Sequence, residues 1–132
     1  MSSRLTPVNP ASLARPRGYS HGMRGSGELL FVAGQVGWTR EGRIVSPDFV
    51  GQFQRALENV LDVVWAAGGT PTDIARMVVY VTDKAEYAAR ARVLGEVWRA
   101  RMGRHYPAMA LLEVKSLLDA EAKVEIEAMA LL

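Results

Sequence analysis

The chain contains no cysteine. That excludes disulfides, thiolate zinc sites and a cysteine nucleophile together, and it fits a reducing cytosol. Histidine is scarce: His21 and His105 are the two present, and neither an HExxH nor an HxH spacing occurs. A histidine-rich metal site is therefore not expected. No apolar run approaches the roughly 20 residues that cross a bilayer, and the opening stretch MSSRLTPVNPASLARPRG has no apolar core of a secretory signal. These absences lead to a cytoplasmic location and no membrane partner. A dominant charge is missing too, since 16 Lys and Arg face 14 Asp and Glu for a net +2. The arginines gather at Arg4, Arg15, Arg17 and Arg24 and again at Arg99, Arg101 and Arg104. Such clusters read as solvated surface, because a nucleic-acid footprint needs basic residues on one face with stacking aromatics. There is no phosphate-cradling P-loop and no RNP-type aromatic motif, so nucleic acid is not an expected partner.

What is present is enough for one domain over residues 1–132. A chain of this length can bury about two-thirds of its unfolded surface. Residues 1–18, with Pro7, Pro10, Pro16 and Gly18, read as an irregular lead-in. LLFVAGQV at 29–36, bounded by Gly27 and Gly37, reads as a buried strand, and Glu41-Gly42 as a turn. A helix is expected from Ser46 as N-cap, with Pro47 in its first position and Asp48 near its positive end. Phe49, Phe53, Ala56, Leu57, Val60, Leu61 and Val64 recur at helical spacing until Gly68-Gly69. ARMVVYVT at 75–82 is apolar on both sides, the pattern of a central strand covered on both faces. Asp83 then caps a second helix whose stripe is Tyr87, Ala91, Leu94, Trp98 and Met102, ending at Gly103.

Two strands close the chain, at 109–116 and 123–131. In the second, Val124, Ile126, Ala128 and Ala130 alternate with Lys123, Glu125, Glu127 and Met129. Helices following strands this way pack on one face of the sheet. The even set suits that covered face, and the odd set the other. An antiparallel hairpin of the last two strands would bring Glu113 and Lys115 beside Glu125 and Glu127, and Met109 and Leu111 beside Met129. A face so mixed marks an interface between copies, with pockets where they join. Carboxylates in such pockets can serve as general acid or base; a register-setting Lys115–Glu ion pair is the structural alternative.

GYS at 18–20, LLFVAGQV at 29–36, QFQRALENV at 52–60, AAGG at 66–69, VVYVTD at 78–83, YPA at 106–108 and VEIEAMA at 124–130 together resemble the Rid, or YjgF-type, family of reactive-intermediate deaminases. The resemblance implies a chorismate-mutase-like α/β (α+β) fold, a mixed sheet with two helices on one face. It also implies a homotrimer with clefts between subunits, and hydrolysis of enamines and imines such as 2-aminoacrylate without metal or cofactor. Carried over by position, Glu125 and Tyr19 are the catalytic candidates. Gly34 and Gln35 keep the family's Gly-Gln pair, while Ala33 replaces its serine or threonine. Met109 stands where the family's carboxylate-binding arginine belongs. Losing that bidentate, charge-assisted contact costs several kcal/mol of binding to an α-carboxylate substrate, on the order of two hydrogen bonds to a charged group. An adaptable thioether suits an apolar or bulkier ligand. His21, two residues past Tyr19, is a further candidate for the cleft because imidazole exchanges protons near neutral pH. Arg104 and His105, by contrast, suit a helix C-terminus. Three functions follow: a divergent imine or enamine hydrolase, a non-catalytic small-molecule-binding trimer, and, as the resemblance alone suggests, an endoribonuclease or translation inhibitor.

Overall fold

A computed structural model describes residues 4–132; residues 1–3 of the expected lead-in lie outside the described residues. The elements are β1 (Thr6–Val8), β2 (Gly22–Arg24), β3 (Leu29–Val36), α1 (Phe49–Ala66), β4 (Ile74–Val81), α2 (Lys84–Ala89), α3 (Ala91–Met102), β5 (Ala108–Glu113) and β6 (Val124–Leu131). The main sheet has the order β3-β6-β4-β5, and β1 and β2 form a separate antiparallel pair. The lead-in is thus not wholly irregular, since Thr6 pairs with Arg24 and Val8 with Gly22.

The period of two in β6 does what alternation dictates. Val124, Ile126 and Ala130 are fully buried, while Glu125, Glu127 and Met129 lie half-buried on the opposite face. The covered face is built from Met77, Val79 and Val81 of β4 with Val124, Ile126 and Ala128 of β6, in direct register. Helix α1 lays Phe53, Ala56, Leu57, Val60 and Val64 on it, and α3 adds Leu94, Trp98 and Met102. Each fully buried aliphatic side chain contributes about 1.5–3 kcal/mol, so this shared layer holds both helices down.

Four expectations are corrected. Asp48, not Ser46, caps α1: its carboxylate accepts from Gly51 N at 2.9 Å, and Ser46 Oγ accepts from Asp48 N at 3.2 Å. The second helix is broken at Arg90 into α2 and α3. The short α2 is too brief to hold itself. Asp83, accepting from Ala85 N and Glu86 N, and an edge-on contact of Tyr87 with Phe49 keep it in place. Strand β4 is fully covered on one face and only partly on the other, where Val78 is buried but Arg76 is exposed and Tyr80 half-buried.

The largest correction concerns β5. It does not form a hairpin with β6; it runs parallel to β4 at the sheet edge, joined through α2 and α3. A parallel pair needs such a crossover, and the helical segment supplies it. β6 instead inserts between β3 and β4, antiparallel to both. Register then sets Met109 beside Met77 and Leu111 beside Val79. Met109 and Leu111 therefore belong to the helix side, while Met129 stays on the open face beside Arg76. Glu113 accepts from Lys84 N instead of approaching Glu125, and Lys115 lies beyond β5 in the connection to β6.

Candidate active site

Strand β3 slips by one residue against β6: Val32 faces Ala128, but Gln35 faces Ile126. The extra residue is a β-bulge at Ala33 and Gly34, and bulges at sheet rims re-aim side chains. Here the bulge meets Glu125. A Cβ on Gly34 would lie 2.8 Å from Glu125 Cδ and 3.1 Å from its Cγ. Only glycine lets the carboxylate lie across the β3 backbone. Ala33 beside it is exposed.

Gln35 turns elsewhere. It donates from Nε2 to Ala33 O at 3.2 Å and accepts from Trp38 Nε1 at 3.1 Å. It lines a hollow with Arg55, Asn59 and Asp62 beside α1, not the face that carries Glu125.

On the open face, Glu125 sits opposite Tyr80 and Glu127 opposite Val78. The Tyr80 hydroxyl donates to Glu127 Oε1. That hydrogen bond, helped by desolvation and by the charges of Glu127 and Glu125, raises the phenol above its ordinary 10, while Arg76 works the other way. Glu127 was placed on this face by the sequence pattern, but Tyr80 and Arg76 were not among the sequence candidates. A signal existed, since a tyrosine and an arginine at alternate positions of an otherwise apolar strand break its pattern.

Tyr19 lies at the other end of the sheet. Its segment is tied to β5, with Ser20 N donating to Pro107 O at 3.0 Å and Ser20 Oγ to Tyr106 O at 2.6 Å. Tyr19, Arg17 and Met109 line one hollow of about 270 Å³ together with Ala110 and Leu111. His21 holds this segment in place. Its Nε2 pairs with Ala14 O at 2.6 Å, its backbone N with Asn9 Oδ1 at 2.8 Å, and its ring meets Tyr19 edge-on at 5.3 Å. With Nε2 protonated toward that carbonyl, the ring positions Tyr19. His105 is similarly occupied, Nε2 to Ile74 O at 2.7 Å.

The site candidates thus fall into two groups within one chain. Glu125 and the Ala33-Gly34 bulge are on β3 and β6; Tyr19 and Met109 are at β5, beyond β4. Among the described residues no three His, Asp or Glu converge as metal ligands, and no helix is long and apolar enough to cross a membrane.

The family model described as Endoribonuclease L-PSP matches residues 10–132. A RutC family protein of Pyrococcus horikoshii is 34% identical over 113 residues, 85% of each chain. TdcF of Escherichia coli, named as a candidate reactive intermediate deaminase, is 32% identical over 107 residues, 79% of each. Among solved structures, YyfB of Yersinia pestis, described as a Rid family protein of unknown function, superposes with a TM-score of 0.86 at 32% identity over 98% of this chain and 99% of its own. RidA from an Antarctic Psychrobacter has a TM-score of 0.70 at 30% identity, covering 90% and 92%. The mixed sheet with its helices on one face is the architecture these structures share. The chain belongs to the Rid (YjgF/RutC) family.

Proposed function

We propose that this single Rid-type domain is a hydrolase of imine- or enamine-type reactive small metabolites, working as a homotrimer in the cytoplasm without metal or cofactor. The observation that carries the reading is the seating of the Glu125 carboxylate over Gly34, on a sheet face that its own helices leave open. The division of the candidates supports an intersubunit cleft. Glu125 and the bulge of one copy would meet Tyr19 and Met109 of the next. Exposed Phe31 and Leu29, at 67% and 54%, together with Met129, give that open face the apolar content of a contact surface.

In this reaction an enamine first takes a proton on carbon and becomes an imine. Water adds to the imine carbon, its proton passing through Glu125 to the nitrogen. The carbinolamine then collapses, so C=N becomes C=O and ammonia leaves. Tyr19 orients the substrate and the Tyr80–Glu127 pair braces the carboxylate's surroundings. Proton transfer by a positioned carboxyl contributes about 10²–10⁴-fold. Met109 and Ala33 supply no charge and no hydroxyl, which argues against 2-aminoacrylate as the preferred substrate. The test is ammonia release from a panel of imines and enamines, native chain against Glu125→Gln. Failure of every substrate to turn over faster with the native chain sinks the proposal.

A second reading is a trimer that binds small molecules without turning them over, favoured by the same Met109 and Ala33. Binding in thermal-shift screens with no turnover in the panel would select it. The ribonuclease reading rests on the family description alone. RNA cleavage that persists in Glu125→Gln after further purification would point to a contaminant.

A further inference from the structure

We propose that the paired hollows on either side of Met109 bind a small carboxylate with an aromatic or bulky apolar body, whose carboxylate is held by Arg17 and Arg99. The inner hollow, about 340 Å³, has a floor of Phe53, Val79, Leu94, Trp98 and Tyr106. Pockets of this size take small organic ligands. Trp98 and Tyr106 stack on one another with their planes 6° apart, which makes this part of the lining rigid and aromatic. Arg17 and Arg99 also line it, and none of its lining residues is Asp or Glu. The outer hollow, which Tyr19 lines, shares Arg17, Gly18, Tyr87 and Met109 with the inner one. Met109 and Tyr87 therefore stand between them, and a thioether side chain adapts readily to what it packs against.

The two arginines come from the two basic clusters of the sequence, and the fold brings them to one opening. Arg101, their neighbour, is committed to Glu58 at 2.8 Å. Among the described residues neither Arg17 nor Arg99 is salt-bridged. A second feature points the same way. Gly95 sits in the middle of α3, where glycine is a poor helix former. It lines the inner hollow, and the neighbour nearest its missing Cβ is Arg99 Nη1 at 3.4 Å. The Arg99 guanidinium thus lies back over the helix surface at Gly95, at the edge of the hollow. Arginine forks recognise carboxylates by paired, charge-assisted hydrogen bonds, and the apolar hollow beneath them suits a bulkier body than 2-aminoacrylate has.

This inference deepens the proposed function and rests on it only for the location of the cleft. Its test is binding, not turnover. Isothermal titration of the purified protein compares 3-phenylpropanoate, the uncharged 3-phenylpropanamide, and acetate. The acid is expected to bind at least about tenfold tighter than the amide, the loss typical of one charge-assisted contact, and acetate to give no measurable heat. Arg17→Ala and Arg99→Ala, both at exposed positions, should each weaken the acid about tenfold and leave the amide unchanged. Gly95→Leu should abolish both. Equal binding of acid and amide, or acid binding indifferent to both arginine variants, or no binding of the acid at millimolar concentration, overturns the assignment. None of these results touches the imine assay, and a failed imine assay leaves the titration to stand by itself.

Discussion

Gln52→Leu is the sharpest perturbation of the scaffold behind Glu125. Gln52 is fully buried on α1. Its Nε2 donates to Ser46 O at 2.9 Å and Glu121 O at 3.1 Å, and its Oε1 accepts from Lys123 N at 2.8 Å. One side chain thus ties the loop before α1 to the loop that feeds β6. Leucine fills nearly the same volume and satisfies none of these groups. Three net hydrogen bonds are worth about 1 kcal/mol each, and each orphaned buried partner adds up to ~3 kcal/mol. Relief is available, because Ser46, Glu121 and Lys123 also line a surface hollow of about 660 Å³ that can admit water. The expected loss is therefore about 2–4 kcal/mol, or roughly 8–15 °C in Tm for a chain of this size. Urea unfolding at one fixed protein concentration measures it, since assembly makes stability concentration-dependent. Gln52→Glu should be worse than leucine near pH 7, because its carboxylate faces two carbonyl oxygens. A loss below about 1 kcal/mol for leucine would show that water replaces the amide fully and refute the reasoning.

The remaining expectations are more local. Tyr80 is held protonated chiefly by its bond to Glu127, so its folded pKa exceeds the unfolded value of 10. The stability this contributes is complete below pH 10 and is lost as pH rises through the folded pKa. The fall in stability above pH 10 should be shallower in Tyr80→Phe, and phenolate absorbance should show one fewer late-titrating tyrosine; an unchanged slope counts against the pairing. Burial likewise raises Tyr87, so Tyr87→Phe should remove a second late titration. Gly34→Ala pushes a methyl against Glu125 and should cut imine turnover toward the level of Glu125→Gln while melting within a few degrees of the native chain; full activity would show that Glu125 can swing away freely. Met109→Arg should raise 2-aminoacrylate deamination a few-fold at most, because the new cation joins Arg17 and Arg99 around the same hollows; no gain at all would mean the cleft itself has been reshaped.

Much of the framework was legible in local pattern. The apolar stripe from Phe49 to Val64 specified α1, because a period of 3.6 residues is written into one continuous segment. Asp83, Gly103 and the alternation from Val124 to Ala130 marked boundaries and faces for the same reason. The carboxylate at Glu125 and the Gly34 that receives it were visible as a matched motif, although nothing in the spacing showed that a bulge joins them.

What the amino-acid order determined by itself was which residues would turn inward along α1, α3 and β6. Which elements would become neighbours was a tertiary matter. Strand alternation defines two faces but names no partner, so β5 could be read as a hairpin with β6 until the parallel crossover from β4 assigned it to the edge. That pairing turned Met109 toward the helices and separated it from Glu125. It also brought Arg17 and Arg99, distant in the chain, to a single apolar hollow. Strand pairing of this kind arises from contacts between distant segments, whose closure no local periodicity encodes.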